Sequence, residues 1–145
     1  MCLVDIYDIQ LIEELWNKNR QYHIQIEPVF KRQYEEKTFD ARMKEIIGDM
    51  EKQIKITLSK DGDEINGYCI SGIKKGEGEI ISIHVSSEKR NSGIGKELIH
   101  HHIRWMKDNG CTSIGVYVAA VNEGTIRFYE RNGFKKNQIF MEISE

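Results

Sequence analysis

The chain has 145 residues, 30% of them charged and 39% hydrophobic, with a formal net charge of −2 and a pI near 6.2. That length supports the core of one domain without metal or disulfide help. The charge balance gives no basic footprint for nucleic acid, and no apolar run reaches the roughly 18–20 residues of a membrane span.

Asp5, Asp8, Glu13 and Glu14 interrupt any apolar leader, so no signal peptide is expected. Residues 1–4 offer only a stub of strand. Ile6, Ile9, Ile12, Leu15 and Trp16 recur at helical spacing and predict an amphipathic helix from Asp5 to about Asn19. Residues 20–29, with Pro28, read as irregular. Phe30, Tyr34, Phe39, Met43, Ile46, Ile47 and Met50 predict further helix, in one or two pieces, weakened at Gly48. The period then drops to two. Ile54, Ile56 and Leu58 alternate with polar residues, Asp61-Gly62 marks a hairpin, and Ile65–Ile73 is the return strand. A turn at 74–78 leads to a third strand, Glu79–Val85. A helix opens at Gly93 and stops at Asn109-Gly110. A strand over 112–119, a short helix from Asn122 to about Arg131 and a last strand over 134–143 complete a mixed α/β order. The strand–helix–strand unit of residues 79–119 is expected to be a right-handed parallel crossover.

Cys2, Cys69 and Cys111 are widely spaced and odd in number. They read as reduced thiols of a cytoplasmic protein, not as a disulfide framework or an acyl carrier. His100-His101-His102 does not read as a metal site, because consecutive helical positions point about 100° apart and helical ligand pairs need i,i+3 or i,i+4 spacing. The three are expected at the surface or rim. Trp105 and Met106 read as core or interface residues, and Tyr34-Glu35-Glu36 as a solvated face.

The stretch Glu79–Leu98 carries the strongest chemical signal. A strand, a polar turn and a glycine-opened helix place free N–H groups and a positive dipole end beside Arg90, an anion site. A Walker A loop is excluded, because position 90 is Arg and position 97 is Glu. The dinucleotide fingerprint is excluded too, since Leu98 stands where its third glycine belongs. What remains is Arg90-x-x-Gly93-x-Gly95. Further on, Asn122, Phe128, Tyr129, Gly133 and Phe134 follow the pattern Asn-x-x-small-x-x-apolar-Tyr-x-x-x-Gly-Phe, with Thr125 at the small position.

Together these two segments resemble the acyl-CoA pyrophosphate loop and following helix of the GCN5-related N-acetyltransferase (GNAT) family. The likeness covers roughly residues 54–143, and the N-terminal helices suit the same fold. Three departures stand out: the family's first strand is nearly absent, the C-terminus is short, and Ser87 replaces a frequent proline. The resemblance implies a GNAT-like acyl-CoA N-acyltransferase fold over residues 1–145 as a single domain. Its sheet would be mixed and mostly antiparallel, with a parallel strand–helix–strand unit and helices on both faces.

The resemblance also implies acetyl transfer from acetyl-CoA to a primary amine in a ternary complex, with no metal. Arg90, Asn91, Ser92, Gly93, Ile94, Gly95 and Lys96 would hold the pyrophosphate. Backbone groups of Ile83, His84 and Val85 would meet pantetheine and polarise the thioester carbonyl. Tyr129 would give the leaving thiolate a proton or a strong hydrogen bond, with a purely packed tyrosine as the competing reading, and Asn122 would cap its helix and touch the cofactor. An amine of pKa near 10 must lose a proton first. Glu79, eleven residues before Arg90, and His84 are the candidate bases, and regular alternation puts them on opposite faces of their strand. A solvated glutamate and a structural histidine are the competing readings. The acceptor stays open among a polyamine, an aminoglycoside, another small amine and a protein N-terminus, and so does a homodimer. A CoA-binding sensor or interaction module that does not transfer is the rival from another class. No nucleic-acid or membrane partner is expected.

Overall fold

The computed structural model describes residues 1–144. Five strands lie in the order β1-β2-β3-β4-β5, each beside its successor in sequence. They are β1 (Cys2–Ile6), β2 (Gln53–Asp61), β3 (Glu64–Lys74), β4 (Glu77–Val85) and β5 (Ser113–Val116). β1 to β4 pair antiparallel. β5 runs parallel to β4, as a crossover through α4 (Ile94–Asp108) requires. α1 (Glu13–Ile26), α2 (Arg32–Glu35) and α3 (Phe39–Ile47) precede β2, and α5 (Glu123–Arg131) follows β5.

The sheet separates two apolar cores. On one face Ile12, Leu15 and Trp16 join Phe39, Met43 and Ile46 of α3 over Leu58, Tyr68 and Ile70. On the other, Ile94, Leu98, Ile99 and Met106 of α4 and Tyr129 of α5 cover Cys69, Ile73 and Ile80. Both faces of β3 are therefore buried, as its nearly continuous apolar run suggests.

Several expectations need correction. The first strand is present: Cys2–Ile6 pairs with β2 from Cys2↔Lys60 to Ile6↔Ile56. Asp5 hid it, a carboxylate in mid-strand that cross-strand neighbours satisfy. Lys55 Nζ lies 2.7 Å away and Thr57 Oγ1 donates at 2.6 Å. Burial alone would raise this carboxyl, but those partners and His101 hold it at about 2.

The first α-helix starts at Glu13, not Asp5, because Asp8 caps a separate 3₁₀ turn over Ile9–Ile12. It then continues to Ile26 through residues expected to be irregular. Glu27 closes it, its Oε1 accepting from Val29 N and Phe30 N at 3.1 Å each. Arg20 donates to the carbonyls of Tyr34 and Glu35, both at 2.6 Å, and so fastens α2 to α1.

Of the histidine run, His100 and His101 meet Asn132 and Asp5 respectively. His102 is neither surface nor rim: it is fully buried. It shares the sheet-facing side of α4 with Leu98, Ile99 and Met106. Its two ring nitrogens lie 2.6 Å from Ser71 Oγ and 2.8 Å from Thr57 Oγ1.

β5 stops at Val116, short of the expected 119. The expected last strand over 134–143 does not form: residues 135–144 are exposed and carry no regular structure. A strand needs a neighbour for its backbone groups, and none of the described residues lies beside them as one.

Candidate functional site: a split between β4 and β5 that opens on a helix start

β4 and β5 pair only from Glu77↔Ser113 to Ile80↔Val116. Beyond Ile80 the two strands part. The backbone groups of Ile81–Val85 that face away from β3 have no strand beside them, although β4 continues to Val85. Sheet edges of this kind hydrogen-bond to whatever extended group is offered.

The open half of β4 runs directly into the anion loop. Asn91 (φ 64°) and Gly93 (φ 86°) both take left-handed backbone conformations that wind the chain into α4. At Gly93, the residue before the helix, a side chain would be strained. The first helical bond is Glu97 N to Gly93 O at 3.0 Å. The N–H groups of Ile94, Gly95 and Lys96 therefore precede any intrahelical acceptor and point out of the helix start. A Cβ on Gly95 would stand 3.3 Å from two atoms of the Phe128 ring, so glycine there lets α5 close against the loop. The side-chain hydroxyl of Ser92 donates to the Lys89 carbonyl and tightens the turn. Arg90 Nε donates to Val85 O at 3.2 Å, and its guanidinium lies 5.5 Å from the centroid of the Tyr22 ring. One edge of the guanidinium is thus spent on holding the loop. Its terminal nitrogens have no partner among the described residues.

α5 supplies the other wall. Asn122 caps it, Oδ1 accepting from Thr125 N at 3.3 Å. Tyr129, 4% exposed, is held edge-on between Phe128 and Phe134, with ring centroids 5.2 Å from each. Burial pushes its phenol well above the ordinary tyrosine range, so it stays protonated. No group among the described residues hydrogen-bonds its hydroxyl.

The placement of Glu79 and His84 departs from regular alternation. Ile70 pairs with Ser82 but Ser71 pairs with Ile80, so Ile81 is an extra residue in β4, a bulge. Ile80 faces the α4 core, whereas Ser82 meets the Tyr68 hydroxyl at 2.8 Å on the α1 side. The bulge therefore puts Glu79 and His84 on the same α1-facing side, not on opposite ones. Five residues still separate them, about 15 Å of strand. Glu79 sits in a row between Gly72 and Gly115, so neither neighbouring strand puts a side chain beside it, although the Lys52 side chain lies over Gly72.

His84 lines a cleft of about 210 Å³ with Lys18, Tyr22, Ser86, Ser87, Glu88 and Arg90. Burial, then the charges of Arg90, His23 and Lys18, push its imidazole down to about 4. It is neutral at pH 7. Tyr22 was not singled out from sequence, because its helix was expected to end near Asn19; Lys18 lies within that expected helix but off its apolar stripe. The stripe Leu15, Asn19, Tyr22, Ile26 at helical spacing was the signal available.

A parallel crossover, a parted strand pair and an anion loop at the helix start define the architecture of an acyl-CoA N-acyltransferase. The comparisons agree. The model of the Acetyltransferase (GNAT) family matches residues 10–134, and the chain belongs to that family. An uncharacterized N-acetyltransferase of Methanocaldococcus jannaschii is 38% identical over 71 residues, covering 48% of this chain and 31% of the relative. The chain thus matches less than a third of that relative's length. Among solved structures, a mutant of the BH1408 protein from Bacillus halodurans has a TM-score of 0.81 at 16% identity, covering 100% of this chain and 99% of that one. The aminoglycoside N-acetyltransferase AAC(6')-Iy in complex with CoA has a TM-score of 0.67 at 15% identity, covering 99% and 98%.

Proposed function

We propose that residues 1–145 act as one domain that transfers an acetyl group from acetyl-CoA to a primary amine by direct attack in a ternary complex. One observation carries the reading. The unpaired half of β4 leads into a helix start whose free N–H groups sit beside Arg90. An extended amide-bearing arm ending in a pyrophosphate is the ligand such a surface fits.

In this reading the pyrophosphate rests on the N–H groups of Ile94, Gly95 and Lys96, with Arg90, Asn91, Ser92 and Gly93 shaping the loop. Ile83, His84 and Val85 offer backbone groups to the pantetheine arm, and Asn122 borders it. When bound, acetyl-CoA supplies the activated acyl group as a thioester. The chain's own part is to align, polarise and move protons. A backbone N–H near His84–Val85 stabilises negative charge developing on the carbonyl oxygen. The new C–N bond forms as the C–S bond breaks. Tyr129, protonated and with no hydrogen-bond partner among the described residues, gives the departing sulfur a strong hydrogen bond or a proton as negative charge collects there.

Of the two base candidates we assign Glu79. Its carboxylate attracts an ammonium and lies in a row between two glycines, with the Lys52 side chain passing over Gly72. His84 instead faces the positive charges of Arg90 and Lys18, which oppose both its own protonation and the approach of a cation. His84 then serves the cofactor side through its backbone.

Thermal unfolding with acetyl-CoA, ATP and NAD tests the cofactor. A ligand present at a hundred times its Kd stabilises by about 2.7 kcal/mol, so acetyl-CoA is expected to raise Tm by several degrees while ATP and NAD leave it unchanged. No shift with saturating CoA compounds would overturn the assignment. Release of free thiol is then followed over polyamines, aminoglycosides, other small amines and peptide N-termini. Aminoglycosides belong in the panel because the AAC(6')-Iy structure shares the fold. Tight CoA binding with no turnover on any amine would favour a binding module.

A further inference from the structure

The cleft beside His84 offers more hydrogen-bonding groups than the chain itself uses. His84 is 8% exposed and lines it, yet neither ring nitrogen has a hydrogen-bond partner among the described residues. Burial and the nearby charges keep the ring neutral, so it carries one N–H donor. A buried donor left unpaired is costly and is normally met by a partner. Around it stand the hydroxyls of Ser86 and Ser87 and the cations Lys18 and Arg90, against one carboxylate, Glu88. Among the described residues the two serine hydroxyls accept and donate to nothing. The Arg90 guanidinium lies by the Tyr22 ring of α1, and none of Ile94, Gly95 and Lys96 lines the cleft. It is thus a second place for negative charge, beside the helix start and separate from it. Lys18 is engaged only by Glu14, 3.5 Å away, in a pair whose side chains are 60% and 85% exposed, and such a pair yields easily.

The α1-facing side of β4 is also polarised along its length. Glu79 stands at one end and Lys18 and Arg90 flank His84 at the other, about 15 Å of strand away. We propose, resting on the acetyl-transfer reading, that the acceptor is a zwitterion whose amine lies toward Glu79 and whose carboxylate sits in the His84 cleft between Lys18 and Arg90. The ring N–H of His84 and the hydroxyls of Ser86 and Ser87 donate to that carboxylate. Side chains reach inward from both ends, so the two charges of the acceptor stand roughly 10 Å apart, the span of about three extended residues. A long ω-amino acid or a free tripeptide has this form. A polyamine or an aminoglycoside would set positive charge against Lys18 and Arg90. The side chain of His84 therefore acts in choosing the acceptor, while its backbone serves the cofactor.

Two measurements on the 145-residue chain test this. Thiol release is compared for triglycine and triglycinamide, which present one amine with and without the carboxylate, and for spermidine. The acid is expected to exceed the amide roughly ten-fold in kcat/KM, mainly through KM, and to exceed spermidine by more. In Lys18→Gln, a replacement at an exposed position, the acid-to-amide ratio should fall to within about two-fold. Equal use of acid and amide by the parent chain, or an unchanged ratio in the variant, would overturn the proposal. The second measurement needs no turnover. N-acetyltriglycine, which keeps the carboxylate and lacks the amine, is titrated in excess CoA while the His84 ring signals are followed by NMR. Those signals, assigned by their loss in His84→Ala, should shift to saturation. No shift would sink the proposal. A shift seen without CoA and lost with it would give the cleft to a phosphate of the cofactor, and would sink it too. Turnover of the amide as readily as the acid would leave acetyl transfer standing and this inference refuted. Silence on every amine would refute acetyl transfer, and the titration would still decide whether the cleft takes a carboxylate.

Discussion

Tyr129 joins three properties that rarely coincide: burial, a proton held firmly at neutral pH, and a hydroxyl with no hydrogen-bond partner among the described residues. A purely structural tyrosine in such a place would be expected to spend its hydroxyl on a neighbour. Tyr129→Phe keeps the edge-on packing with Phe128 and Phe134, so it should lower kcat by roughly 100-fold, the low end for loss of a positioned acid. Acetyl-CoA affinity should stay within about two-fold, and comparison of kcat with the Kd from calorimetry checks this. An unchanged kcat, with chemistry limiting turnover, would remove Tyr129 as the acid. Glu79→Gln should abolish the alkaline-rising limb of the pH–rate profile, whereas His84→Ala, which keeps the backbone groups, should leave both that limb and cofactor affinity in place. The reverse pattern would move the base to His84. At this scale the position of the loop was legible, because Gly93 and Asn122 stand just before α4 and α5, with Gly95 and Tyr129 on those helices. The common face of Glu79 and His84 was not. One extra residue at Ile81 inverts every later side chain of β4, and nothing in the local sequence announces a bulge.

The element that decides cofactor affinity is the start of α4, and its geometry depends on α5. Gly95→Ala places a methyl group 3.3 Å from the Phe128 ring. Either the ring or the helix start must yield by a few tenths of an ångström. We expect acetyl-CoA affinity to fall roughly ten-fold, about 1.4 kcal/mol, with a smaller change in Tm. Titration calorimetry on the variant checks it, and unaltered affinity would show that the loop tolerates the shift. Helices and hairpins were read correctly wherever periodicity and stop residues agreed, as in α4 with Asn109-Gly110 and the β2–β3 turn at Asp61-Gly62. Errors arose where one apolar pattern spans unlike elements. Ile6 ends a strand, Ile9 and Ile12 belong to a 3₁₀ turn, and Leu15 begins to point inward from α1. All pack on the same core, so their spacing mimics one helix.

For the molecule as a whole, two buried histidines tie folding to acidity. His84 and His102 are held near 4 and 3, against 6.5 when unfolded. For His102, burial disfavours the charged ring first, followed by the charges of His101 and Lys55. The unfolded chain therefore binds more protons below pH 6.5. Stability is fully present above that value and is lost as pH falls toward the folded-state values. At pH 5 each histidine should cost about 2 kcal/mol relative to pH 7.5. Urea unfolding at the two pH values measures the loss, and His102→Gln should roughly halve it. A slope unchanged in that variant would mean that His102 does not titrate with folding.

The parting of β4 and β5 has a consequence for sequence divergence. If the cofactor is gripped by peptide groups of Ile81–Val85 and of a helix start, the grip belongs to the main chain, which every residue supplies alike. Selection on binding then constrains backbone path more than side-chain identity. Substitution can accumulate around the site while the shape persists, in keeping with a TM-score of 0.81 at 16% identity. Residues that bend the path, such as Gly93 and Gly95, should resist replacement longest, and the acceptor wall should drift fastest.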